Sequence, residues 1–564
     1  MKKFLCLFLL FAILLPIFAS CREADKGVDP FDPTDPSDAS QEESSSETEE
    51  GTQTESESLT ESESLTETES EPAPEVPKRA AIGERVIYLF EGDTYTLHFE
   101  VDHESGNSEV VWHASTDAVR VDGGIVTALH EGYSIVSAGS ESACIFRVLA
   151  KNMPTISVHT DGVAITSKET YVPCLVSLES TYDAFCFEKE IAGIRLRGNS
   201  TLGANKKPYR IKFESKQNLL GMNEGEKFKS WVLLAERMDD SMIHNSTALS
   251  LASMILTEYT SDWRYVNLFL NGSYQGVYLL AEQSQIAEGR VDIEEAGKDS
   301  SALLSGYLYE MDRRSTEAAF RIEASKLKFT DMFQHIHNCK DLVFNIKNDG
   351  LLPSQTSFAS KYFQNVFKIV YAATYEDTYY TFDENYNLIP MENGTAERAI
   401  SAVIDVDSLV RKYIHSEFIC NSDDHQLSYY THVDLSPQGS GLFTFSCPWD
   451  YDYAFSDSQT KIYHNPSAYF AARRTVWYVM IMKHEWFREL VHAHWNELYE
   501  NYGGFTAAFE MMGKITETYA TEFKRDASMW GRSKVQREQA EIMKIWVVRR
   551  LDWLQTHFGT GEFY

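Results

Sequence analysis

Several common signatures are missing from this sequence. It has no GxxxxGK[ST] run, no HExxH and no GxSxG, which leaves P-loop, zinc-peptidase and α/β-hydrolase chemistry without support. Cysteine is sparse: there are eight in 564 residues, and Cys6 and Cys21 fall in the N-terminal apolar segment. The others, Cys144, Cys174, Cys186, Cys339, Cys420 and Cys447, show no CxxC spacing, which removes the usual zinc and thioredoxin readings. They are expected to be small buried thiols, with a Cys174–Cys186 disulfide open to an exported chain. Large hydrophobic residues nearly vanish between Cys21 and Lys78. The formal charge of −33 argues against nucleic acid as a partner.

What is present divides the chain. Residues 1–21, MKKFLCLFLLFAILLPIFASC, give two lysines, an apolar run of roughly fifteen residues and small residues before a Cys, the layout of a secretory signal too short to span a bilayer comfortably. "FASC" resembles the bacterial lipobox, with Phe18 where Leu is common. The resemblance implies lipidation at Cys21 and a membrane anchor outside the cytoplasm. Residues 22–78 hold "ESESLT" twice in tandem and about half of the net charge. Such a segment buries too little apolar area to offset its ordering entropy and is expected to act as an extended tether.

Residues 79–152 read as short alternating strands with a hairpin signal at Asp122-Gly123-Gly124. From Trp112 through "STDAVRVDGGIVTALHEGYSIVSA" they resemble the bacterial immunoglobulin-like group 2 family, which implies a small sandwich used as spacer or adhesion module. Trp112 is expected in its core. Residues 153–564 mix strand and helix. Asn271-Gly272 between two alternating runs predicts a hairpin, a helix is expected over residues 241–256, and helices dominate after Phe358.

Two acidic stretches carry the chemistry. "DVDSLVRKYIHSEFICN" has helical apolar spacing with Asp405 or Asp407 as N-cap, so Asp423 in "NSDDHQLSYY" falls just past a helix end. The runs "LSYYTHVD" and "LFTFSCPWD", joined through Gly439 and Gly441, predict a hairpin that returns Asp450 to the Asp423 loop and to Ser428. Helix, acid loop, strand, turn, strand and second acid is also the order around a protein kinase active site. Oxygen ligands of that kind hold hard cations, which offset triphosphate charge.

The large domain resembles the spore coat protein H (CotH) kinase family, on "RLRGNST", "KKPYRIKF", "WVLLAERMDDSMIHNSTALSLA", "NLFLNGSYQGVYLLAEQ", "NSDDHQLSYY", "PWDYDYAFS", "WYVMIMKHEWFREL" and "RRLDWL" in order. The expected fold class is therefore α+β, an atypical kinase-like two-lobed domain preceded by an all-β immunoglobulin-like sandwich. The resemblance implies ATP and Mg²⁺ as cofactors and a protein Ser or Thr as acceptor. It makes Asp423 the catalytic base and Asp450 the principal metal ligand, with Asn421, Ser428 and Asp452 secondary. Arg197, Gly198 and Asn199 take the phosphate-facing turn, Lys207 or Lys212 the phosphates, and Glu282 the adenine hinge. Asp240 and Asn245 fall in a motif whose Arg is here His244, and Ser428 stands where a kinase carries Asn. Those two departures suit a rival reading as a non-catalytic binding protein. A second rival, a metal-dependent phosphoesterase, would use Asp423, His425, Asp450 and Asp452.

Overall fold

The computed structural model describes residues 76–297, 300–316, 318–455, 464–532 and 535–564, except the Ser200 side chain. The signal segment, the lipidation reading at Cys21 and the acidic tether as far as residue 75 lie outside the described residues. Among the described residues no helix is long and apolar enough to cross a membrane.

From residue 79 to 149 the chain is strand and turn only. Val119–Asp122 pairs with Ile125–Ala128 across Gly123 and Gly124, both at positive φ, as the Asp-Gly-Gly signal predicts. These strands join Thr94–Thr96 in one sheet; Val86–Phe90, Ala143–Leu149, Gly132–Ser137 and His113–Ala114 form another. Val126, Val136, Phe146 and Val148 are fully buried. Trp112, expected in that core, is only partly buried and meets Phe99 edge-on at 4.9 Å, because Phe146 and the buried valines already fill the centre.

This all-β unit is fused to the larger, C-terminal part of the chain. Tyr88 stacks on Trp263 at 5.0 Å, and Arg147 pairs with buried Asp262 at 3.4 Å and with Glu224 at 3.0 Å. The Tyr519 hydroxyl donates to the Ala150 carbonyl at 2.6 Å.

Seven strands then close a barrel in the order Thr155–His159, Val172–Glu179, Phe187–Leu196, Tyr209–Gln217, Phe228–Leu234, Ser273–Glu282 and Trp263–Leu270, the last running parallel to the first. Alternate residues such as Ile194, Ile211, Trp231 and Tyr278 fill it. The hairpin at Asn271 and Gly272 forms with φ of 49° and 77°, the conformation that Asn-Gly tolerates best. Cys174, buried, and Cys186, exposed, are free thiols, so the disulfide left open above is not formed; Cys144, Cys420 and Cys447 are buried as expected.

A five-stranded sheet, ordered Phe320–Ile322, Leu342–Ile346, Gly306–Met311, Tyr429–Asp434 and Thr444–Phe445, begins the second half. Helices including Pro353–Tyr375, Val406–Ile419, Glu485–Asn501 and Gln536–His557 pack with it around Phe363, Tyr413, Trp477 and Trp495. Mixed α and β is what the sequence predicts for the large domain.

Candidate active site

The acid loop is built by a helix that stops abruptly. Asp405 caps Val406–Ile419, its carboxylate accepting from Ser408 N at 3.2 Å, and Cys420 ends the helix in the left-handed conformation at φ 51°. The chain turns there and is stitched to the returning segment. Asn421 Nδ2 donates to the Asp450 carbonyl at 3.3 Å, and Ser422 N to the Tyr453 carbonyl at 3.3 Å. The predicted hairpin is present, with Thr431 opposite Phe445, but its second strand is only Thr444–Phe445. Beyond it the chain leaves the sheet, and Cys447 and Asp450 sit at φ of 52° and 66°. Left-handed backbone at a non-glycine residue is costly and persists where surroundings enforce it. Ser428, at φ 50°, donates its hydroxyl to Asp450 Oδ2 at 2.9 Å. Of the double acid, Asp424 turns inward to Ser416 Oγ at 2.9 Å and Asn421 Nδ2 at 2.7 Å, beside buried Lys412. Asp423 faces a cleft of about 240 Å³ that Asp450, Asp452 and Ser428 also line.

Burial and then the charge of Asp450 push the Asp423 carboxyl up to about 7. Asp452 is raised for the same two reasons in the same order. Asn245, near the start of the helix His244–Ile255, fixes this side. Its amide donates to Asp452 Oδ1 at 2.8 Å and to Glu236 Oε1 at 3.1 Å, while its oxygen accepts from Tyr451 N at 2.9 Å. Glu236 is held well above the usual carboxylate range, chiefly by burial and next by Asp452. Carboxylates crowded in this way suit a divalent cation, since added positive charge relieves the repulsion that raises them. Asp450 is the side chain whose charge raises both Asp423 and Asp452, and it would hold the ion. Among the described residues no three acidic, His or Cys side chains are grouped closely enough to hold a metal ion.

The barrel supplies the other wall. Arg197, Gly198 and Asn199 line the cleft as expected. Gly198 has φ 84°, and a Cβ there would lie 2.5 Å from Thr201 Oγ1, so the tight turn requires glycine. Arg197 lies 5.3 Å over the Trp449 ring.

Other expectations need correction. Lys207 and Lys212 are not among the described residues that line the cleft. The Lys207 ammonium donates to the Leu202 carbonyl. Lys212 sits mid-barrel opposite Gly193 and Ser230, flanked by inward Ile211 and Phe213. It is four residues past Pro208, which immediately precedes that strand and lines the cleft, or about 13 Å along the extended chain. The neighbouring Lys206 is fully buried instead, its ammonium 2.5 Å from Asp526 Oδ2. Glu282 is no adenine hinge: its carboxylate is buried against Arg290 at 3.1 Å and Asn223 at 2.9 Å. Asp239, rather than Asp240, organises the helix start by accepting from Ile243 N and His244 N at 2.9 Å each. Asp240 lies 3.9 Å from Arg532. His244 reaches the Asp452 carbonyl at 3.2 Å and Asp239 at 3.5 Å, a positioning contact. His425 directs Nδ1 at the Ser422 carbonyl, 2.6 Å away, outside the cleft lining.

Sequence reasoning missed Glu236, Arg237, Glu310, Arg314 and Lys347, all of which line the cleft. Glu310 and Arg314 arrive because Gly306–Met311 pairs with Tyr429–Asp434, placing Glu310 opposite Tyr430. Glu310 accepts from the Tyr430 hydroxyl at 2.7 Å and from Lys347 at 3.0 Å. The signal was "YLYEMDRRS", an alternating strand running into a charge cluster.

A family model described as CotH kinase protein matches residues 194–554. The chain belongs to the CotH kinase family. The matched span begins near the end of the third barrel strand and takes in both cleft walls, so Arg197, Asp423 and Asp450 all lie within it. No curated protein matches the chain.

Proposed function

We propose that this CotH kinase transfers the γ-phosphoryl group of ATP to a Ser or Thr hydroxyl of a protein, with Mg²⁺ as the cation. The observation that carries the reading is the meeting of Asp423 and Asp450 in one cleft whose opposite wall holds the Arg197-Gly198 turn. A cation at Asp450 supplies charge compensation for the triphosphate. Asp423, whose carboxyl burial still raises when the charge of Asp450 is offset, accepts the hydroxyl proton as general base. Ser428 holds the Asp450 carboxylate, and Asn245 holds Asp452. Arg197 and the Gly198 turn face the phosphates.

The test is Asp423→Asn, assayed for phosphate transfer to a Ser-containing protein. A loss of about 10²–10⁴-fold with no loss of thermal stability is expected; full activity would sink the assignment.

Lipidation at Cys21, the acidic tether and an immunoglobulin-like unit complete the proposal of an exported protein held at the cell membrane or surface. Because the all-β unit is fused to the barrel through Tyr88 and Arg147, that unit and the kinase-like part would move as one body on the tether.

The displacement of Lys207 and Lys212 from the cleft favours one second reading, a kinase-like binding protein without catalysis. Stabilisation by ATP with Mg²⁺ separates the two: about 2.7 kcal/mol at a hundredfold excess over Kd for the enzyme, none for the binder.

A further inference from the structure

Three neighbouring barrel strands deliver their ends to the cleft together. Leu196 lies opposite Tyr209, and Tyr209 opposite Leu233, so these residues form one row across Phe187–Leu196, Tyr209–Gln217 and Phe228–Leu234. The residues just beyond that row, Arg197, Pro208 and Leu234, all line the cleft. Arg197 N still donates to the Pro208 carbonyl at 3.2 Å, which carries the ladder one step past the strand end. Arg197 and Leu234 therefore leave the barrel two strand spacings apart, or about 10 Å. Three residues after Leu234 comes Arg237, half-buried, which lines the cleft as well.

The turn that presents Arg237 is pinned at several points. Glu236 takes φ 47°, a costly left-handed conformation, and its buried carboxylate accepts from Asn245 Nδ2 at 3.1 Å. Arg532 fixes the backbone on both sides, donating from Nη2 to the Glu236 carbonyl at 2.6 Å and from Nη1 to the Asp239 carbonyl at 2.7 Å. The Arg237 Nε donates to Asn205 Oδ1 at 3.1 Å, the same oxygen that accepts from Lys206 N at 3.0 Å. That bond ties the stem of Arg237 to the segment following the Gly198 turn, and its two Nη groups meet no acceptor among the described residues.

The other cations of the cleft are placed differently. Lys347 is paired with Glu310 at 3.0 Å, and Arg314 stands with Glu310 and Asp312 on the sheet wall. Arg197, over the Trp449 ring, is the companion of Arg237 on the barrel wall. A guanidinium with Nε held and both Nη groups open presents a planar two-donor edge, the geometry that grips phosphate oxygens in a bidentate manner.

We propose that Arg237 is a catalytic residue of this cleft: with Arg197 it binds the non-bridging oxygens of the β- and γ-phosphates, in the place that sequence reading gives to Lys207 or Lys212. This rests on the phosphotransfer reading above. Charge that builds on the transferring phosphoryl group then meets a donor already in position on the wall opposite Asp423 and Asp450.

The test compares the whole chain with its Arg237→Ala and Arg237→Lys variants in two measurements. In transfer to a Ser-containing protein, Arg237→Ala should lower kcat/KM for ATP by about a hundredfold or more. Arg237→Lys should restore only part of that, since an ammonium keeps the charge without the fork. In thermal stabilisation with Mg²⁺, ATP and ADP should protect Arg237→Ala less than the wild type, whereas AMP, which has neither a β- nor a γ-phosphate, should act on both alike. Should Arg237→Ala lose stability without nucleotide, Arg237→Lys, which keeps the stem and the charge, decides by the same comparison of ATP with AMP. A variant as fast as the wild type, or a loss of stabilisation equal for ATP and AMP, overturns the inference while transfer itself stands. A wild type that neither transfers phosphate nor is stabilised by ATP with Mg²⁺ removes the phosphotransfer reading, and this inference with it.

Discussion

The two walls of the cleft obey different rules. On the helical side, Asp423 and Asp450 are placed by short-range devices: a capped helix, a left-handed stop at Cys420, a hairpin, and backbone bonds between the 420s and 450s. On the barrel side, only the Arg197-Gly198 turn is where local pattern puts it, and the lysines are elsewhere. Chemistry anchored in a local motif survives reading from the sequence, whereas a side chain's direction around a closed barrel depends on registers set by distant strands.

The sharpest way to break that contrast is to compare one residue from each wall. Asp450→Asn is expected to cut phosphoryl transfer by about a thousandfold or more, because the proposed metal loses its central carboxylate. Lys212→Ala should stay within about twofold, as for a surface ion pair. Initial rates with saturating ATP decide it, and equal losses would return Lys212 to the nucleotide.

Lys206 sharpens the comparison from the side of stability. Its ammonium and Asp526 are both fully buried, and Asp526 Oδ2 also accepts from Val277 N at 2.9 Å, tying the helix Ala520–Trp530 to the barrel. Burial lowers the Lys206 pKa to about 8 although Asp526 opposes the shift. Lys206→Met leaves a buried carboxylate with one cation fewer and is expected to cost about 3–5 kcal/mol, read from the denaturant midpoint. A change below about 1 kcal/mol would mean that the pair adds nothing net.

The smallest expected effect is a pH dependence. Without metal, Asp423 titrates near 7 in the folded chain and near 3.8 unfolded. Between those values the folded form holds a proton that the unfolded form has released, so stability falls as pH rises through the window. A cation near Asp450 displaces that proton. Mg²⁺ should therefore raise the melting temperature more at pH 8 than at pH 5.5, by about a degree or two in a body of this size. A flat or reversed trend would separate Asp423 from the metal.

Much of the fold was legible for identifiable reasons. Asn271-Gly272 and Asp122-Gly123-Gly124 form the hairpins their positive φ values favour, and Asp405 caps the helix that precedes the acid loop. Free thiols are the expectation over a Cys174–Cys186 pairing, and Cys174 lies in the barrel core while Cys186 faces solvent. Glu282 ends an alternating strand like a hinge residue, yet Arg290, eight positions on, closes over it and stacks 3.8 Å above Phe228. The motif reading names Asp240, and only the backbone N–H groups of Ile243 and His244 show that the turn uses the carboxylate of Asp239.

By itself the sequence determined the acidic, apolar-poor segment before residue 76, the strand-rich and helix-rich halves, and the return of Asp450 to Asp423, because each follows from composition, periodicity or a tight turn. Tertiary structure alone decided that the first half closes into a barrel, that Lys206 rather than Lys207 is buried, and that Glu310 and Arg314 join the cleft. The physical reason is range: pairing between strands more than a hundred residues apart, and the carboxylate that meets a given lysine, are selected by packing of the whole chain and leave no mark on neighbouring residues.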